Sequence, residues 1–305
     1  MTSVTVGMIG LGRMGGNMGR RLARAGHAVV AWDRAEAARA ALADEAHIVT
    51  AASLQELVQA LPSPRIAWLM LPAGAATEDT LDALLPLLAR GDVVVDGGNA
   101  FYRDSQRHAL ELGRHEIGFV DAGVSGGVWG LVHGYGLMVG GEPAAVHAVE
   151  PVLRTLAPAP ERGWVHCGAA GAGHYAKMVH NAIEYGMMQA YAEGFALLRA
   201  KTELALDVPG IAEAWRHGTV IRSWLLDLTA EFLAEDPDLA SIAPYVADSG
   251  EGRWAAHESI ELGVPTPVVT LALMERFASQ GRADYANRLL ARMRQAFGGH
   301  AVKPG

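Results

Sequence analysis

The sequence has little cysteine, no long apolar run and no excess of positive charge, and each absence excludes a class of protein. Cys167 is the single cysteine among 305 residues, which excludes an intramolecular disulfide and indicates a reducing compartment. The amino terminus carries no charged region followed by an apolar stretch and a cleavage site. The apolar run IAWLMLPAGAA is too short, and too interrupted by Pro and Gly, to span a bilayer. We therefore expect a cytoplasmic protein without a membrane segment.

The charge balance is acidic, with a formal net charge of -8. This argues against nucleic acid and anionic membranes as partners. An anionic small molecule would need a local cluster of cations. With 50% apolar residues, a chain of this length buries a large core and is expected to form two domains.

Short apolar runs alternate with helical stretches in the first half of the chain. The runs are VTVGMIG, HAVVAWD, RIAWLMLP, DVVVDGG, GFVDAGV and LMVGG, and their alternation with helices predicts a mostly parallel sheet. After a Pro-rich connection around Glu161, helical patterns follow at about 174–201, 210–234 and 266–297. The sequence predicts an α/β Rossmann-type N-terminal domain over residues 1–163 and an all-helical C-terminal domain over residues 164–305.

A glycine-rich turn follows the first predicted strand and opens a helix. In VGMIGLGRMGG, Gly10 permits a tight turn, Gly12 lets the backbone approach a pyrophosphate, and Gly15 allows close helix packing. The helix amino terminus supplies amides and a positive dipole end to the phosphates. The second predicted strand ends in Asp33, at the distance where an acidic residue holds the adenosine ribose. The pattern predicts a dinucleotide site; for the glycines alone, a structural turn is the alternative.

Asp33 and its neighbour Arg34 favour different cofactors. The carboxylate would repel the extra phosphate of NADP, whereas a guanidinium beside it could bind that phosphate. We expect NAD, with NADP as the second choice.

One face of a predicted helix carries polar groups, although the rest of the helix is apolar or small. In KMVHNAIEYGMMQAYAEGF the polar groups are Lys177, His180, Asn181, Glu184 and Tyr185. They fall in a stripe about 140° wide on an element typical of a protein interior. A solvated amphipathic face is the alternative. We expect the stripe to face a cleft, with Lys177 and Glu184, roughly 10 Å apart along the axis, acting at different atoms of one substrate.

These segments resemble the signatures of 6-phosphogluconate dehydrogenase. The resemblance depends on DGGN, VSGGVWG and the helical segment quoted above, and it covers nearly the whole chain in the shorter form of that family. Related β-hydroxyacid dehydrogenases share GLGxMG, the SGG turn and the lysine, but differ after the lysine, so HNAIEY separates the two. The resemblance implies oxidative decarboxylation of 6-phosphogluconate to ribulose 5-phosphate and CO2, with NAD or NADP as hydride acceptor and no metal.

The resemblance also implies catalytic roles for three residues of the stripe. Lys177 would act as base on the substrate's 3-hydroxyl and then as an acid, Glu184 would protonate the enediol, and Asn181 lies beside them. To act as a base near neutral pH, Lys177 needs a pKa below its ordinary value of about 10.4, which burial or a neighbouring positive charge would provide. A lysine permanently paired with a carboxylate is the alternative.

The other positions that the resemblance implies bind cofactor or substrate. The expected cofactor-binding residues are Gly10, Leu11, Gly12, Arg13, Met14, Gly15, Asp33, Arg34, Leu71, Pro72 and Asn99. The expected substrate-binding residues are Asn99, Ser125, Gly126, Gly127, His180, Tyr185, Arg276, Arg294 and His300. The turns at Asn99 and at Ser125 follow predicted strands, and open α/β sheets bind ligands at the carboxyl ends of their strands.

The substrate's phosphate needs cations, which the carboxyl-terminal part supplies. GVPTPVVTLALMERF resembles the family segment whose arginine binds phosphate and selects Arg276. RQAFGGH resembles the family's terminal arginine and histidine, which bind substrate from a neighbouring subunit and select Arg294 and His300; a frayed tail is the alternative. We expect a homodimer or homotetramer in which the C-terminal tail completes a neighbouring active site. The longer enzymes place a phosphate-binding lysine where this chain has Ser249.

Two other functions stay open on the residues alone. A non-decarboxylating β-hydroxyacid dehydrogenase of the 3-hydroxyisobutyrate type forms no enediol and does not need Glu184. A non-catalytic dinucleotide-binding sensor needs neither Lys177 nor Glu184.

Overall fold

Strands and helices alternate up to Gly168 in the computed structural model, which describes residues 3–303 except the side chain of Phe297. Residues 1–2 and 304–305 of the two predicted domains lie outside the described residues. The strands are β1 Thr5–Ile9, β2 Ala28–Trp32, β3 Ile48–Thr50, β4 Ile66–Leu69, β5 Val93–Asp96, β6 Gly118–Ser125, β7 Gly136–Gly141 and β8 Trp164–Gly168. The helices between them are α1 Arg13–Arg24, α2 Glu36–Ala40, α3 Leu54–Ala60, α4 Ala75–Leu84, α5 Tyr102–Gly113, α6 Gly130–His133 and α7 Pro143–Leu156, with single 3₁₀ turns at Leu85–Leu87 and Gly127–Trp129.

The strands form one sheet in the order β3-β2-β1-β4-β5-β6-β7-β8. All neighbouring pairs are parallel except β6 and β7, which run antiparallel. The order from β3 to β6 is that of a Rossmann sheet, and the direction of winding reverses between β1 and β4. This confirms the predicted Rossmann-type fold and places the ligand-binding crevice at the carboxyl ends of these two strands.

The sheet is buried because helices cover both of its faces. Strands β4 and β5 are buried along their whole length, as expected of parallel strands in such a fold. On one face, apolar side chains of α1 and α7, such as Leu22 and Leu153, pack against the strands. On the other face the packing side chains come from α3, α4 and α5, among them Leu57, Leu81 and Leu112. The loops at the strand ends are thus held on a rigid base.

Six of the eight strands coincide with the predicted apolar runs, and the other two were not expected. Strand β3 has three residues, which is too few to give a pattern. Strand β8 pairs only with β7 and is half-exposed or exposed throughout, so it carries no buried alternation. The sheet therefore reaches Gly168, and the division predicted between residues 163 and 164 stays a prediction.

The rest of the chain is helical, as predicted. Its helices are α8 Ala172–Ala200, α9 Val208–Trp215, α10 Trp224–Glu235, α11 Glu251–Leu262, α12 Pro267–Ser279 and α13 Asp284–Gly298, with a 3₁₀ turn at Thr202–Leu204. Two predicted long stretches are each divided in two, at Gly218 (φ 74°) and Gly281 (φ 75°), because a left-handed glycine ends a helix. Helix α11 lies outside the three predicted helical stretches, and two glycines flank its first residue.

The chain divides into two compact units between Val179 and His180, inside α8. The amino-terminal unit contains the sheet. In the carboxyl-terminal unit, a small apolar core joins Ala212, Ala230 and Leu233 to Phe195 and Val208. Among residues 3–303, no helix is long and apolar enough to cross a membrane.

Candidate active site

A cavity of about 790 Å³ opens at the carboxyl ends of β1, β2, β4 and β5 in the amino-terminal unit. Most of the predicted cofactor residues line it. They are Gly10, Gly12, Arg13, Met14, Gly15, Asp33, Arg34, Leu71, Pro72 and Asn99. Trp32, Asp79 and Thr80 also line the cavity and were not predicted. Its location is the one that a doubly wound sheet offers to a dinucleotide.

Close contacts require two of the three glycines of the first turn, and the third faces open space. Gly10 has φ 89°, and a Cβ there would lie 2.6 Å from the carbonyl oxygen of Met70. A Cβ on Gly15 would lie 1.9 Å from the carbonyl oxygen of Gly10. A Cβ on Gly12 would meet no atom within 4 Å, so its backbone faces the open cavity. Gly12 is the N-cap of α1, whose first turn carries no acid. This end of α1 fits an anionic pyrophosphate.

Asp33 joins two of the loops that line this cavity. One carboxylate oxygen accepts a hydrogen bond from the amide of Leu11 at 2.7 Å, and the other accepts from the amide of Ala35 at 2.7 Å. Leu11 thus contributes its backbone amide and does not line the cavity. Each carboxylate oxygen has a further lone pair, so Asp33 can still accept from ribose hydroxyls, while the adjacent Arg34 is exposed.

Asp121 fixes the start of α8. Its carboxylate accepts hydrogen bonds from the amides of Gly171, at 2.7 Å, and His174, at 2.8 Å. A Cβ on Gly173 would lie 2.5 Å from the carbonyl oxygens of Asp121 and Met138. The backbone of the helix therefore lies directly on β6 and β7.

Lys177 follows one turn later and is buried, with 8% of its surface exposed. A Cβ on Gly123 of β6 would lie 2.3 Å from the Cβ of Lys177, so the absence of a side chain at Gly123 makes room for the lysine. Lys177 is therefore a buried lysine packed against β6.

The turn after β6 contains the three residues predicted to bind the substrate there, and it is open at Gly127. Ser125 is the last residue of β6, and Gly126 and Gly127 have φ 125° and 52°. A Cβ on Gly127 would meet no atom within 4 Å. Val124, next to Ser125, lines the cavity together with Asn99.

In the carboxyl-terminal unit, the polar stripe of α8 forms a hydrogen-bonded row. His180 Nδ1 donates to Asn181 Oδ1 at 3.2 Å and lies 3.8 Å from Glu184 Oε2. Asn181 Nδ2 donates to Glu251 Oε1 at 3.3 Å. Glu251 is buried, so the row runs from a half-exposed histidine to a buried carboxylate.

Tyr185 is the centre of a second group in this unit. Its hydroxyl lies 3.2 Å from Ser249 Oγ and 3.5 Å from Glu251 Oε2. The guanidinium of Arg276 stacks on its ring at 3.6 Å, a favourable cation–π arrangement, and donates to the carbonyl oxygen of Ala247 at 2.9 Å. Burial raises the pKa of Tyr185, so the phenol stays a neutral donor. The predicted phosphate ligands Tyr185 and Arg276 are thus in contact.

Arg294 and His300 lie together at the end of the chain. Both line a cavity of about 380 Å³, which Arg288 and Lys303 also line. The predicted pair is therefore part of a cluster of cationic and titratable groups that suits an anion.

Sequence reasoning missed Glu251 and the group around His174. Ser105 Oγ lies 2.6 Å from His174 Nδ1, and both residues are buried. Neither residue belongs to a recognisable pattern, because the partners are distant in the sequence. Among the described residues, no cluster of three His, Cys, Asp or Glu side chains could hold a metal ion.

Comparison with known proteins adds independent findings. A family model described as the NAD binding domain of 6-phosphogluconate dehydrogenase matches residues 5–168. A second, described as the C-terminal domain of 6-phosphogluconate dehydrogenase, matches residues 173–302. The chain is 44% identical to the NAD(+)-dependent, decarboxylating 6-phosphogluconate dehydrogenase of Haloferax volcanii, over 97% of this chain and 98% of that protein.

Solved structures agree with these matches. The 6-phosphogluconate dehydrogenase of Plasmodium falciparum, studied in its apo form and in complex with NADP+ and with 6-phosphogluconate, is similar with a TM-score of 0.82. It is 26% identical, over 100% of this chain and 67% of that chain. A 3-hydroxyisobutyrate dehydrogenase of Mycobacterium tuberculosis, 24% identical over 93% of this chain and 94% of its own, has a TM-score of 0.73; at this identity the likeness concerns the fold alone.

Proposed function

The chain belongs to the 6-phosphogluconate dehydrogenase family, and from this premise we propose that it oxidises and decarboxylates 6-phosphogluconate to ribulose 5-phosphate and CO2. The single observation that carries the proposal is the match along nearly the whole length of the NAD(+)-dependent, decarboxylating enzyme of Haloferax volcanii. We also propose that the protein is an NAD(P)-dependent enzyme of the cytoplasm. Its acidic composition and single cysteine support this location.

NAD is the proposed cofactor, with NADP as the second choice. Gly10, Gly12 and Gly15 would hold the pyrophosphate at the start of α1, and Asp33 would accept hydrogen bonds from the adenosine ribose. Arg34, which lines the same cavity, would meet the additional phosphate of NADP. When bound, the nicotinamide supplies a hydride acceptor for carbon 3 of the substrate.

Lys177 is the proposed base for the oxidation. Its amine would take the proton of the 3-hydroxyl as carbon 3 loses its hydride, which leaves a 3-keto acid. The bond between C1 and C2 can then break, because the neighbouring carbonyl accepts the electron pair as an enediol and CO2 leaves. The ammonium of Lys177 would donate a hydrogen bond to that oxygen and stabilise the developing charge. Lys177 is buried, which supports its assignment to the reacting atoms over a solvated surface role.

Glu184 is the proposed acid that ends the reaction. It would protonate the enediol at the carbon that lost CO2, which becomes carbon 1 of ribulose 5-phosphate. Glu184 lies about two turns after Lys177 on α8. His180 and Asn181 would bind the substrate beside it, while Asn99, Ser125, Gly126 and Gly127 would hold the carboxylate and hydroxyls. A 3-hydroxyisobutyrate-type reaction forms no enediol, so Glu184 would have no catalytic role in it.

The phosphate is proposed to bind at Tyr185 and Arg276, with Ser249 as a further donor. Arg294 and His300 would reach the phosphate from a second subunit, in a homodimer or homotetramer. Large apolar side chains exposed on α12 and α13, among them Val268, Leu271, Leu289 and Leu290, support a second copy as the partner, because exposed apolar patches mark interaction surfaces.

The reaction is tested by measuring reduced cofactor with purified protein and 6-phosphogluconate, gluconate or 3-hydroxyisobutyrate, each with NAD and with NADP. We expect reduction with 6-phosphogluconate, faster with NAD. Reduction only with 3-hydroxyisobutyrate would assign the chain the simpler reaction, and no reduction with any acid would favour a dinucleotide sensor.

The shared active site is tested by co-expressing two inactive variants, Lys177→Met and Arg294→Ala, with different affinity tags. In a mixed oligomer, the subunit that keeps Lys177 would receive Arg294 from its neighbour, so doubly purified protein should regain activity. Homo-oligomers of each variant are the controls. Mixed oligomers as inactive as these controls would mean that Arg294 serves its own subunit or none.

A further inference from the structure

Glu251 is a buried carboxylate with no role in the proposed reaction steps. It is the first residue of α11 and is 5% exposed. A charged group in this position is costly unless it is hydrogen-bonded. The described contacts of Glu251 lead to two residues of the substrate site, Asn181 and Tyr185.

Each oxygen of Glu251 meets a different side chain of α8. Oε1 accepts from Asn181 Nδ2 at 3.3 Å, and Oε2 accepts from the Tyr185 hydroxyl at 3.5 Å. One rigid carboxylate therefore links two residues four positions apart on the helix. A Cβ on Gly252 would lie 2.9 Å from the ring of Tyr185, so a glycine beside Glu251 lets the ring approach this end of α11.

The contact with Asn181 determines which way its amide points. Because Nδ2 donates to Glu251, Oδ1 is turned toward His180 and accepts from Nδ1 at 3.2 Å. An amide turned the other way would present its oxygen to the carboxylate, which is a repulsive contact between two acceptors. The carboxylate thereby selects one amide orientation, and with it a His180 tautomer that carries its proton on Nδ1.

The amide orientation also affects Glu184. His180 Nδ1 lies 3.8 Å from Glu184 Oε2 and 3.2 Å from Asn181 Oδ1. The Nδ1 proton of His180 is thus directed to Asn181, which is the nearer acceptor, and the contact with Glu184 stays the longer of the two. Without the acceptor at Asn181, the histidine can turn to the carboxylate and form an ion pair, which favours the ionised carboxylate and opposes its role as an acid.

We propose that Glu251 is a positioning residue that orients Asn181 and Tyr185, and that through Asn181 and His180 it keeps Glu184 available as the acid of the final proton transfer. The inference rests on the proposed function, because it concerns the same reaction. Substitution of Glu251 should therefore slow a step that follows oxidation and leave the rate of cofactor reduction unchanged.

The test compares Glu251→Ala, Glu251→Asp and Glu251→Gln with the parent enzyme, using rapid mixing with NAD and 6-phosphogluconate. In the Ala variant, we expect the first turnover of reduced cofactor to keep its rate, while steady-state turnover falls about 10- to 100-fold, the loss associated with a charge-assisted hydrogen bond. The Asp variant keeps the charge, but its side chain is shorter, so it should show the same defect as the Ala variant. It takes the place of the Ala variant if Glu251→Ala does not fold.

The Gln variant should restore steady-state turnover to within about threefold of the parent. Its amide oxygen still accepts from Asn181, and its NH₂ group donates to the oxygen of Tyr185. Glu261→Ala, which removes an exposed carboxylate from the same helix, is the matched control. A double-mutant cycle of Glu251→Ala with Asn181→Ala should be strongly non-additive, because the first acts through the second.

Parental turnover in the Ala and Asp variants would overturn the inference. So would a Gln variant as slow as Ala, or a first turnover slowed as much as the steady state. An additive cycle would show that Glu251 does not act through Asn181. Failure of the proposed function looks different, because the parent enzyme itself would then produce no reduced cofactor from 6-phosphogluconate.

Discussion

The two units of the chain reach their structures in different ways. In the amino-terminal unit, strands such as β4 and β5 are buried throughout, and glycines allow backbone contacts that admit no side chain. In the carboxyl-terminal unit, large apolar side chains stay exposed, including Leu197 at 74%, Ile260 at 77% and Tyr285 at 76%. The first unit has an extensive buried core, whereas the described apolar core of the second unit is small.

The proposed chemistry divides in the same way. The dinucleotide cavity and Lys177 belong to the first unit, while Glu184, Tyr185 and Arg276 belong to the second. We therefore expect changes in the first unit to affect cofactor binding and oxidation, and changes in the second to affect the later proton transfer and the hold on phosphate.

Lys177→Met should lower kcat by about 10³-fold or more, because the 3-hydroxyl loses its base. NAD binding should be unchanged, since Lys177 does not line the dinucleotide cavity. Stopped-flow measurement of cofactor reduction and a fluorescence titration with NAD separate the two effects. A variant that still reduces NAD at the parent rate would remove Lys177 from the mechanism.

Glu184→Gln should lower steady-state turnover by about 10²-fold, because an amide cannot supply the proton that the enediol needs. The first turnover of reduced cofactor should be preserved, in contrast to Lys177→Met. Rapid mixing followed by steady-state assay measures both in one experiment. If the first turnover slows equally, oxidation and proton transfer are not divided between Lys177 and Glu184.

Two substitutions in α8 compare the two units in stability. Gly173→Ala should lower the free energy of unfolding by about 2 kcal/mol, since its Cβ would overlap backbone oxygens of β6 and β7. Gly194→Ala, where a Cβ would meet no atom within 4 Å, should raise it by about 0.5–1 kcal/mol through helix propensity. Urea denaturation gives both values. Equal effects would mean that the start of α8 is not tightly packed on the sheet.

Asp33→Ser should lower the preference for NAD over NADP by about tenfold. The substitution removes the carboxylate that would accept hydrogen bonds from the ribose and repel the extra phosphate of NADP. Arg34→Ala is the opposing control and should raise the same preference. The ratio of kcat/KM values for the two cofactors measures it. An unchanged ratio in both variants would contradict the ribose assignment.

The sequence predicted the first unit in more detail than the second. Apolar runs flanked by turns indicated six strands, and the glycine turn with Asp33 indicated the cavity, because these signals are local. Helix α11 was missed because glycines such as Gly250 and Gly252 are typical of loops. In the structure, Gly250 has a left-handed backbone (φ 107°) and directly precedes the helix. Strand β8 was missed because it lies at the sheet edge and is largely exposed.

The polar stripe on α8 was predicted from its spacing, but its partners were not. Glu251 contacts Asn181 and Tyr185 only because the fold brings α11 to α8, and no periodicity indicates such a pair. The same holds for Gly123, which makes room for Lys177. Local patterns thus indicate the residues proposed to react, whereas the residues proposed to position them depend on tertiary packing.

Oxidative decarboxylation is measured as the ratio of CO2 released to cofactor reduced when the purified protein turns over 6-phosphogluconate with NAD in a sealed vessel. We expect one CO2 for each reduced NAD, because oxidation leads to a 3-keto acid that loses its carboxylate before the product leaves. Cofactor reduction without CO2 would contradict this expectation and would assign the chain a simple β-hydroxyacid dehydrogenase reaction.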